Sequence, residues 1–86
     1  MTWHLYLIEC QDGSFYTGIT TDVEKRYRLH AAGKGARYTR SHPPARLLAS
    51  VPVGSRSAAL KVEAAIKRLP KDKKLDALHT LELSVP

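Results

Sequence analysis

Trp3-His4-Leu5-Tyr6-Leu7-Ile8-Glu9-Cys10, Gln11-Asp12-Gly13-Ser14 and Phe15-Tyr16-Thr17-Gly18-Ile19-Thr20 form the stretch that decides the fold. The outer runs are rich in aromatic and branched residues, which suit strands, and Asp-Gly between them marks a hairpin. Loop length sets the register. A two-residue Asp12-Gly13 loop would place Tyr6 and Tyr16 on opposite faces. A three-residue Gln11-Asp12-Gly13 loop pairs Cys10 with Ser14 and Ile8 with Tyr16, so both tyrosines share one face. The longer loop suits a type I turn with Gly13 left-handed in a bulge, and it is the arrangement expected here.

Downstream, Thr21-Asp22-Val23-Glu24 reads as a capping box with Thr21 as N-cap. The helix should run to about Ala32 and stop at Gly33. At 100° per residue, Val23, Tyr27 and Leu29 mark its buried arc. Arg26 and His30, four residues apart, fall inside that arc. A helix that only packed on a sheet would carry apolar residues there.

Residues 33–46 read as a basic loop, Gly33-Lys34-Gly35-Ala36-Arg37-Tyr38-Thr39-Arg40-Ser41-His42-Pro43-Pro44-Ala45-Arg46. A third strand, Leu47-Leu48-Ala49-Ser50-Val51, follows, with Pro52 near its exit. A second helix, capped by Ser55 or Ser57, should extend to about Leu69, where Pro70 interrupts it. A short third helix then turns Leu75 and Leu78 inward. The order ββαβαα implies the α/β class in its α+β form: a small three-stranded antiparallel or mixed sheet flanked by helices.

Eighty-six residues make one domain, 1–86, which buries only about 60–65% of its unfolded surface. Fourteen Lys+Arg against eight Asp+Glu give a net charge of +6. That excess on so small a surface favours a polyanionic partner, with nucleic acid first, over a merely solvated basic protein. Cys10 is the only cysteine, so neither an internal disulfide nor a cysteine-built zinc site forms, and a reducing cytoplasm suits the chain. The apolar run at Trp3–Ile8 is too short for a signal-peptide core or a membrane span.

In the second long helix, Ala59, Val62, Ile66 and Leu69 form one apolar arc and Leu60 with Ala64 another. Glu63 projects between them. Taken alone, it reads as half of an exposed Glu63–Lys67 pair. A carboxylate partly sunk into a core edge otherwise needs a cation or a metal. Singly, Tyr6 and Tyr16 read as plain strand residues, Gly18 as a bulge or close approach, and His30 as a histidine stabilised at a helix C-terminus.

Together these residues resemble the GIY-YIG nuclease domain. Leu5-Tyr6-Leu7 stands where that family has Gly-Ile-Tyr, and Tyr16-Thr17-Gly18 where it has Tyr-Ile-Gly. Arg26 follows Tyr16 by ten residues, His30 comes four later, and Glu63 lies on the next long helix. The stretch Gly33–Arg40 looks like the loop of the small stand-alone bacterial branch, the UPF0213-like, excinuclease-like proteins. The resemblance covers nearly the whole chain.

It implies metal-dependent phosphodiester hydrolysis of nucleic acid, DNA more than RNA, by an endonuclease or structure-selective nuclease. Glu63 would hold one Mg2+ or Mn2+, largely through water. Arg26 would grip the scissile phosphate with its planar fork. Tyr16 would act as base on a water, Tyr6 would position water or phosphate, and His30 would relay a proton or contact phosphate. Lys34, Arg37, Arg40 and Arg46 read as phosphate contacts, and Tyr38 either stacks on an unpaired base or pins the loop. His42 is a further residue within reach of phosphate. The chain has no asparagine, where some members carry one late in the domain, and Ile19 stands in place of a lysine. Those departures keep a second reading open, a nucleic-acid-binding module of the same fold with little turnover. They also leave room for a partner protein that supplies substrate specificity.

Overall fold

Cys10 and Ser14 close the hairpin as the three-residue loop requires. The Cys10 N–H donates to the Ser14 carbonyl at 2.8 Å, the Gly13 N–H to the Cys10 carbonyl at 2.9 Å, and Gly13 has φ +85°. Asp12 Oδ1 accepts from both the Ser14 N–H and the Ser14 hydroxyl, locking the turn. Strands β1 (Trp3–Cys10) and β2 (Phe15–Thr20) therefore pair with Ile8 opposite Tyr16 and Tyr6 opposite Gly18. The computed structural model describes residues 1–84.

Helix α1 spans Val23–Ala31. Its N-cap is Asp22, not Thr21: Asp22 Oδ1 accepts the Lys25 N–H at 3.1 Å. Asp and Thr both cap well, and the choice falls on Asp22 because Thr20 Oγ1 holds the Asp22 N–H at 3.1 Å. At the other end Gly33, with φ +75°, makes a Schellman closure. Its N–H reaches the His30 carbonyl and the Lys34 N–H reaches that of Leu29.

The basic stretch is not wholly a loop, because Arg37–Ser41 forms a short helix, α2. Strand β3 spans Pro44–Gly54, longer at both ends than its apolar run suggested. It tolerates Pro44 and Pro52 because the sheet order β2-β1-β3 makes β3 an edge, where a missing N–H costs no ladder bond. Both pairings are antiparallel, and register shifts at three points along β1·β3 absorb the irregularity.

Helix α3 (Arg56–Lys67) starts at Ser55, whose hydroxyl accepts from the Ala58 N–H at 3.1 Å. Ala59 and Ile66 are buried, but Leu60 and Ala64 face solvent, so only the first of its two apolar arcs packs. Helix α4 (Lys71–Ser84) is a full-length helix rather than a short one. Pro70 opens it instead of ending structure, as proline's fixed φ allows at a helix start. Lys74 Nζ, 3.0 Å from the Ile66 carbonyl and 3.3 Å from that of Lys67, satisfies the end of α3. No helix among the described residues is long and apolar enough to cross a membrane.

The sheet has a core on each face. Leu5 and Leu7 pack with Val51, Ile66 and Leu78, so α3 and α4 cover that side. Tyr6, Ile8 and Cys10 form the other cluster, with Tyr16, Val23 and Tyr27, under α1. The alternation along β1 thus sends its only tyrosine to the α1 side. The chain is α+β, three antiparallel strands flanked by helices in the order ββαβαα, with α2 as a short insert.

Candidate active site

His30 is the only buried residue of α1 and is 0% exposed. It sits where an apolar side chain would ordinarily seal a helix onto a sheet. Its ring is held at both nitrogens. Nε2 lies 2.8 Å from Tyr6 Oη, and Nδ1 lies 2.7 Å from Thr39 Oγ1 on α2. Tyr6 and Thr39 are each 1% exposed, so this is a buried polar chain with partners at every member.

Tyr16 completes an aromatic cluster. Its ring centroid is 6.3 Å from that of Tyr6 and 5.0 Å from that of His30. Unlike the other two, Tyr16 keeps part of its surface open. Gly18, opposite Tyr6 in the register, makes the cluster fit. A Cβ there would lie 2.5 Å from Tyr6 Cζ and press on Oη. Its role is a close approach; it marks no bulge in β2.

Arg26 stands one turn before His30, and its charge acts on the Tyr6 phenol. Burial pushes the Tyr6 hydroxyl up to about 12; Arg26 pulls it down, and Tyr16 and Glu63 push it further up. Tyr6 therefore stays a protonated phenol at neutral pH. Burial, reinforced by the Arg26 charge, takes His30 down to about 4 from its ordinary 6.5, so the imidazole is neutral.

That shift predicts a stability profile. Above pH 6.5 neither folded nor unfolded chain holds the His30 proton. Between about 6.5 and 4 the unfolded chain binds a proton that the folded chain refuses, so stability falls as pH falls. The loss attributable to His30 is on the order of 3 kcal/mol. Urea denaturation at pH 7.5 and 4.5 should show it, and His30→Gln should flatten the difference. An equal pH slope in both proteins would mean that His30 is charged when folded.

Glu63 comes from α3, in the helix layer on the other face, where α3 packs against β2 and β1. Its side chain is 18% exposed and pairs with Lys67 at 3.5 Å, so the simple i,i+4 ion pair does form. It also lies within electrostatic reach of Tyr6. Among the described residues no group of three or more His, Cys, Asp or Glu side chains could hold a metal. A single half-buried carboxylate is a hard oxygen donor, suited to a divalent cation that keeps most of its waters and not to a tetrahedral zinc.

The basic residues divide. Lys34, Arg37 and Arg40 are exposed, and Arg37 and Arg40 share one face of α2. Tyr38 stacks on Tyr16 at 5.9 Å and on His42 at 4.2 Å, tying α2 to the hairpin. His42 is engaged by Asp12, with Nδ1 and Oδ2 2.6 Å apart, so it is a link to the turn. Ser14, chiefly, and then His42 hold the Asp12 carboxyl well below the usual range. Arg46 is apart from this group. It lies on β3 opposite Glu9, which accepts from its Nε at 2.8 Å and neutralises it.

Thr39 and Asp12 were not foreseen as members of the site. The signal for Thr39 was present in the three-residue spacing of Arg37 and Arg40: on one turn of helix, residue 39 faces away from both. Asp12 carried no comparable signal, since its partner His42 lies thirty positions on.

The family model described as the GIY-YIG catalytic domain matches residues 2–76. A UPF0213 protein of Xanthomonas axonopodis pv. citri is 53% identical over 73 residues, covering 85% of this chain and 72% of that protein. One from Cupriavidus pinatubonensis is 54% identical over 80 residues, covering 93% of this chain and 89% of its own length. The solution structure of an E. faecalis protein matches with a TM-score of 0.66 at 38% identity, covering 100% of this chain and 92% of that one. With its two tyrosines, arginine, histidine and glutamate drawn from four elements, the chain belongs to the GIY-YIG nuclease family, among its small UPF0213 proteins.

Proposed function

We propose that this chain hydrolyses phosphodiester bonds in nucleic acid, DNA before RNA, as an endonuclease or structure-selective nuclease that uses one Mg2+ or Mn2+. The observation that carries this reading is Tyr16 packed against a buried Tyr6–His30 pair, with the charges of Arg26 and Glu63 acting on the Tyr6 phenol. A purely structural sheet would have no reason to bury a neutral histidine against a phenol that feels both charges.

Glu63 would hold the cation. When bound, that cation would supply Lewis-acid stabilisation of charge on the phosphate oxygens and favour ionisation of a water. Arg26 would clamp the same oxygens with parallel N–H donors, which a lysine cannot reproduce. Tyr16, the phenol of the pair with surface open to solvent, would take the proton of the attacking water in its deprotonated form. The water oxygen bonds to phosphorus as the bond to the leaving sugar oxygen breaks. Tyr6 and His30 are too buried to touch phosphate or to meet solvent freely. They would act as positioning residues behind Arg26, in place of direct contacts with phosphate or its attacking water. Lys34, Arg37 and Arg40, with the half-exposed edge of Tyr38, would hold the flanking strand without choosing its sequence. Arg46, already paired with Glu9, is left out of that surface.

The test is cleavage of plasmid, single-stranded and branched DNA and of RNA, with Mg2+, Mn2+ or chelator, by wild type and Arg26→Lys. Cleavage should require the cation and fall about a hundredfold or more in the variant, with stability nearly unchanged. Equal cleavage by both proteins would place the chemistry elsewhere. Salt-sensitive binding with no cleavage on any substrate would make the chain a binding module of the same fold.

A further inference from the structure

We infer that Thr39 is a positioning residue of this site: its hydroxyl fixes the His30 tautomer that orients Tyr6 and, through Tyr6, the Arg26 guanidinium. This inference rests on the function proposed above for Arg26, but its structural half stands without it.

The argument is one of donors and acceptors. The Thr39 hydroxyl has one proton and donates it to the Ala36 carbonyl at 3.1 Å, so its oxygen is the acceptor for His30 Nδ1, 2.7 Å away. The neutral ring then carries its hydrogen on Nδ1, and the unprotonated Nε2 accepts from the Tyr6 hydroxyl at 2.8 Å. That leaves the lone pairs of the Tyr6 oxygen to the Arg26 guanidinium, whose charge acts on the phenol. The hydrogens of the chain Tyr6–His30–Thr39–Ala36 thus run in one direction, inward to a backbone carbonyl.

The opposite tautomer fits less well. Nδ1 would accept from Thr39 and from the Ala36 N–H, but the latter is 3.4 Å away, beyond the usual range. Thr39 would also have to turn its proton from the Ala36 carbonyl to Nδ1, and Nε2–H would occupy a lone pair of the Tyr6 oxygen that otherwise faces the Arg26 charge.

The chain is built to bring Thr39 there. A Cβ on Gly35 would lie 2.8 Å from His30 Cγ and 3.0 Å from its Cα, so only glycine lets the segment leading into α2 close over the ring. Thr39 is the one buried residue of α2, between Tyr38, which stacks on Tyr16, and the exposed Arg40. Outer partners that fix a histidine tautomer are worth about ten- to a hundredfold where they have been tested in metal sites.

The experiment pairs a tautomer readout with kinetics on full-length wild type, Thr39→Val and Thr39→Ser. Long-range nitrogen-15 NMR on histidine-labelled protein should show His30 protonated at Nδ1 in wild type and Thr39→Ser. Thr39→Val, which keeps the shape and removes the acceptor, should lose that state. In metal-supported cleavage, Thr39→Val should lower kcat about tenfold or more with KM little changed, and Thr39→Ser should restore it to within about threefold. Wild-type His30 protonated at Nε2 would overturn the inference, even if Thr39→Val proved too unstable to study. A folded Thr39→Val with wild-type tautomer and kcat would overturn it as well. If wild type cleaves nothing, the proposed nuclease function fails, while the NMR result still decides whether Thr39 sets the tautomer.

Discussion

Glu63→Gln is expected to lower metal-supported cleavage about a hundred- to a thousandfold while leaving the fold intact, the order of loss seen when a key electrostatic stabiliser is removed. Glutamine keeps the shape and the hydrogen-bonding oxygen of glutamate and removes only the charge. What the fold loses is the ion pair with Lys67, whose ammonium lies 3.5 Å away and is 52% exposed. A pair so open to water is worth under about 1 kcal/mol. Two further consequences separate loss of charge from loss of structure. Glu63 helps hold the Tyr6 hydroxyl high, so in the variant that hydroxyl should titrate lower. Binding of uncleaved DNA in chelator should be equal or tighter, because one negative charge has left a basic surface. Single-turnover cleavage, fluorescence anisotropy and thermal melting would measure the three effects. Cleavage within about threefold of wild type would mean that the cation is not held at Glu63.

Why Glu63 and not another acid is a question the sequence answers only in part. Its neighbours on α3 fit an exposed ion pair equally well, and that ion pair exists. Its second relation, the field at Tyr6, arises because α3 packs on the opposite face of the sheet from α1 yet reaches β1 and β2. No local pattern encodes that placement. Family resemblance did, because it carries the tertiary arrangement implicitly. The tyrosine pair is the contrary case. Loop length, Gly13 and side-chain alternation are local quantities, and together they place Tyr6 and Tyr16 on one face before any tertiary contact is considered.

The misjudged boundaries have the same physical origin. Thr21 and Asp22 are adjacent good caps, and the hydrogen bond that the Asp22 N–H donates to Thr20 Oγ1, at the end of the preceding strand, decides between them. Pro44 and Pro52 look like strand ends unless the strand is known to lie at an edge. Pro70 looks like a break unless a second helix starts there and Lys74 reaches back to cap the first. Thr39 lay in a stretch read as basic loop, and the spacing of Arg37 and Arg40 marks its inward face only once a helix is assumed there, which five residues alone do not declare. Local rules thus located the elements, and contacts between elements set their ends and the inner half of the site.

Gly18→Ala should be the most damaging single-methyl change in the sheet, and its effect should be steric rather than conformational. Gly18 is not among the glycines with positive φ, so its backbone would accept any residue. The obstacle is Tyr6. The new Cβ would lie 2.5 Å from Cζ and 3.0 Å from Cε1, with Oη nearer still. Tyr6 cannot yield cheaply: it is 1% exposed, on the central strand, and held by His30 at 2.8 Å. Overpacking of this kind costs about 1–3 kcal/mol, and here the upper end applies because the His30 bond is strained as well. In a domain of this size that is roughly a 10–20 °C fall in melting temperature. Cleavage should fall further than stability does, since a displaced Tyr6 no longer aligns Arg26. Gly33→Ala is the control. Nothing lies within 4 Å of its Cβ, but its φ is +75°, so it should lose only about 1–2 kcal/mol of backbone strain. Adding Tyr6→Leu to Gly18→Ala should recover much of the lost stability without recovering activity. If Gly18→Ala melts within about 3 °C of wild type, a shift the same scaling equates with under 1 kcal/mol, the tyrosine is free to move and the site is not held by close packing at that point.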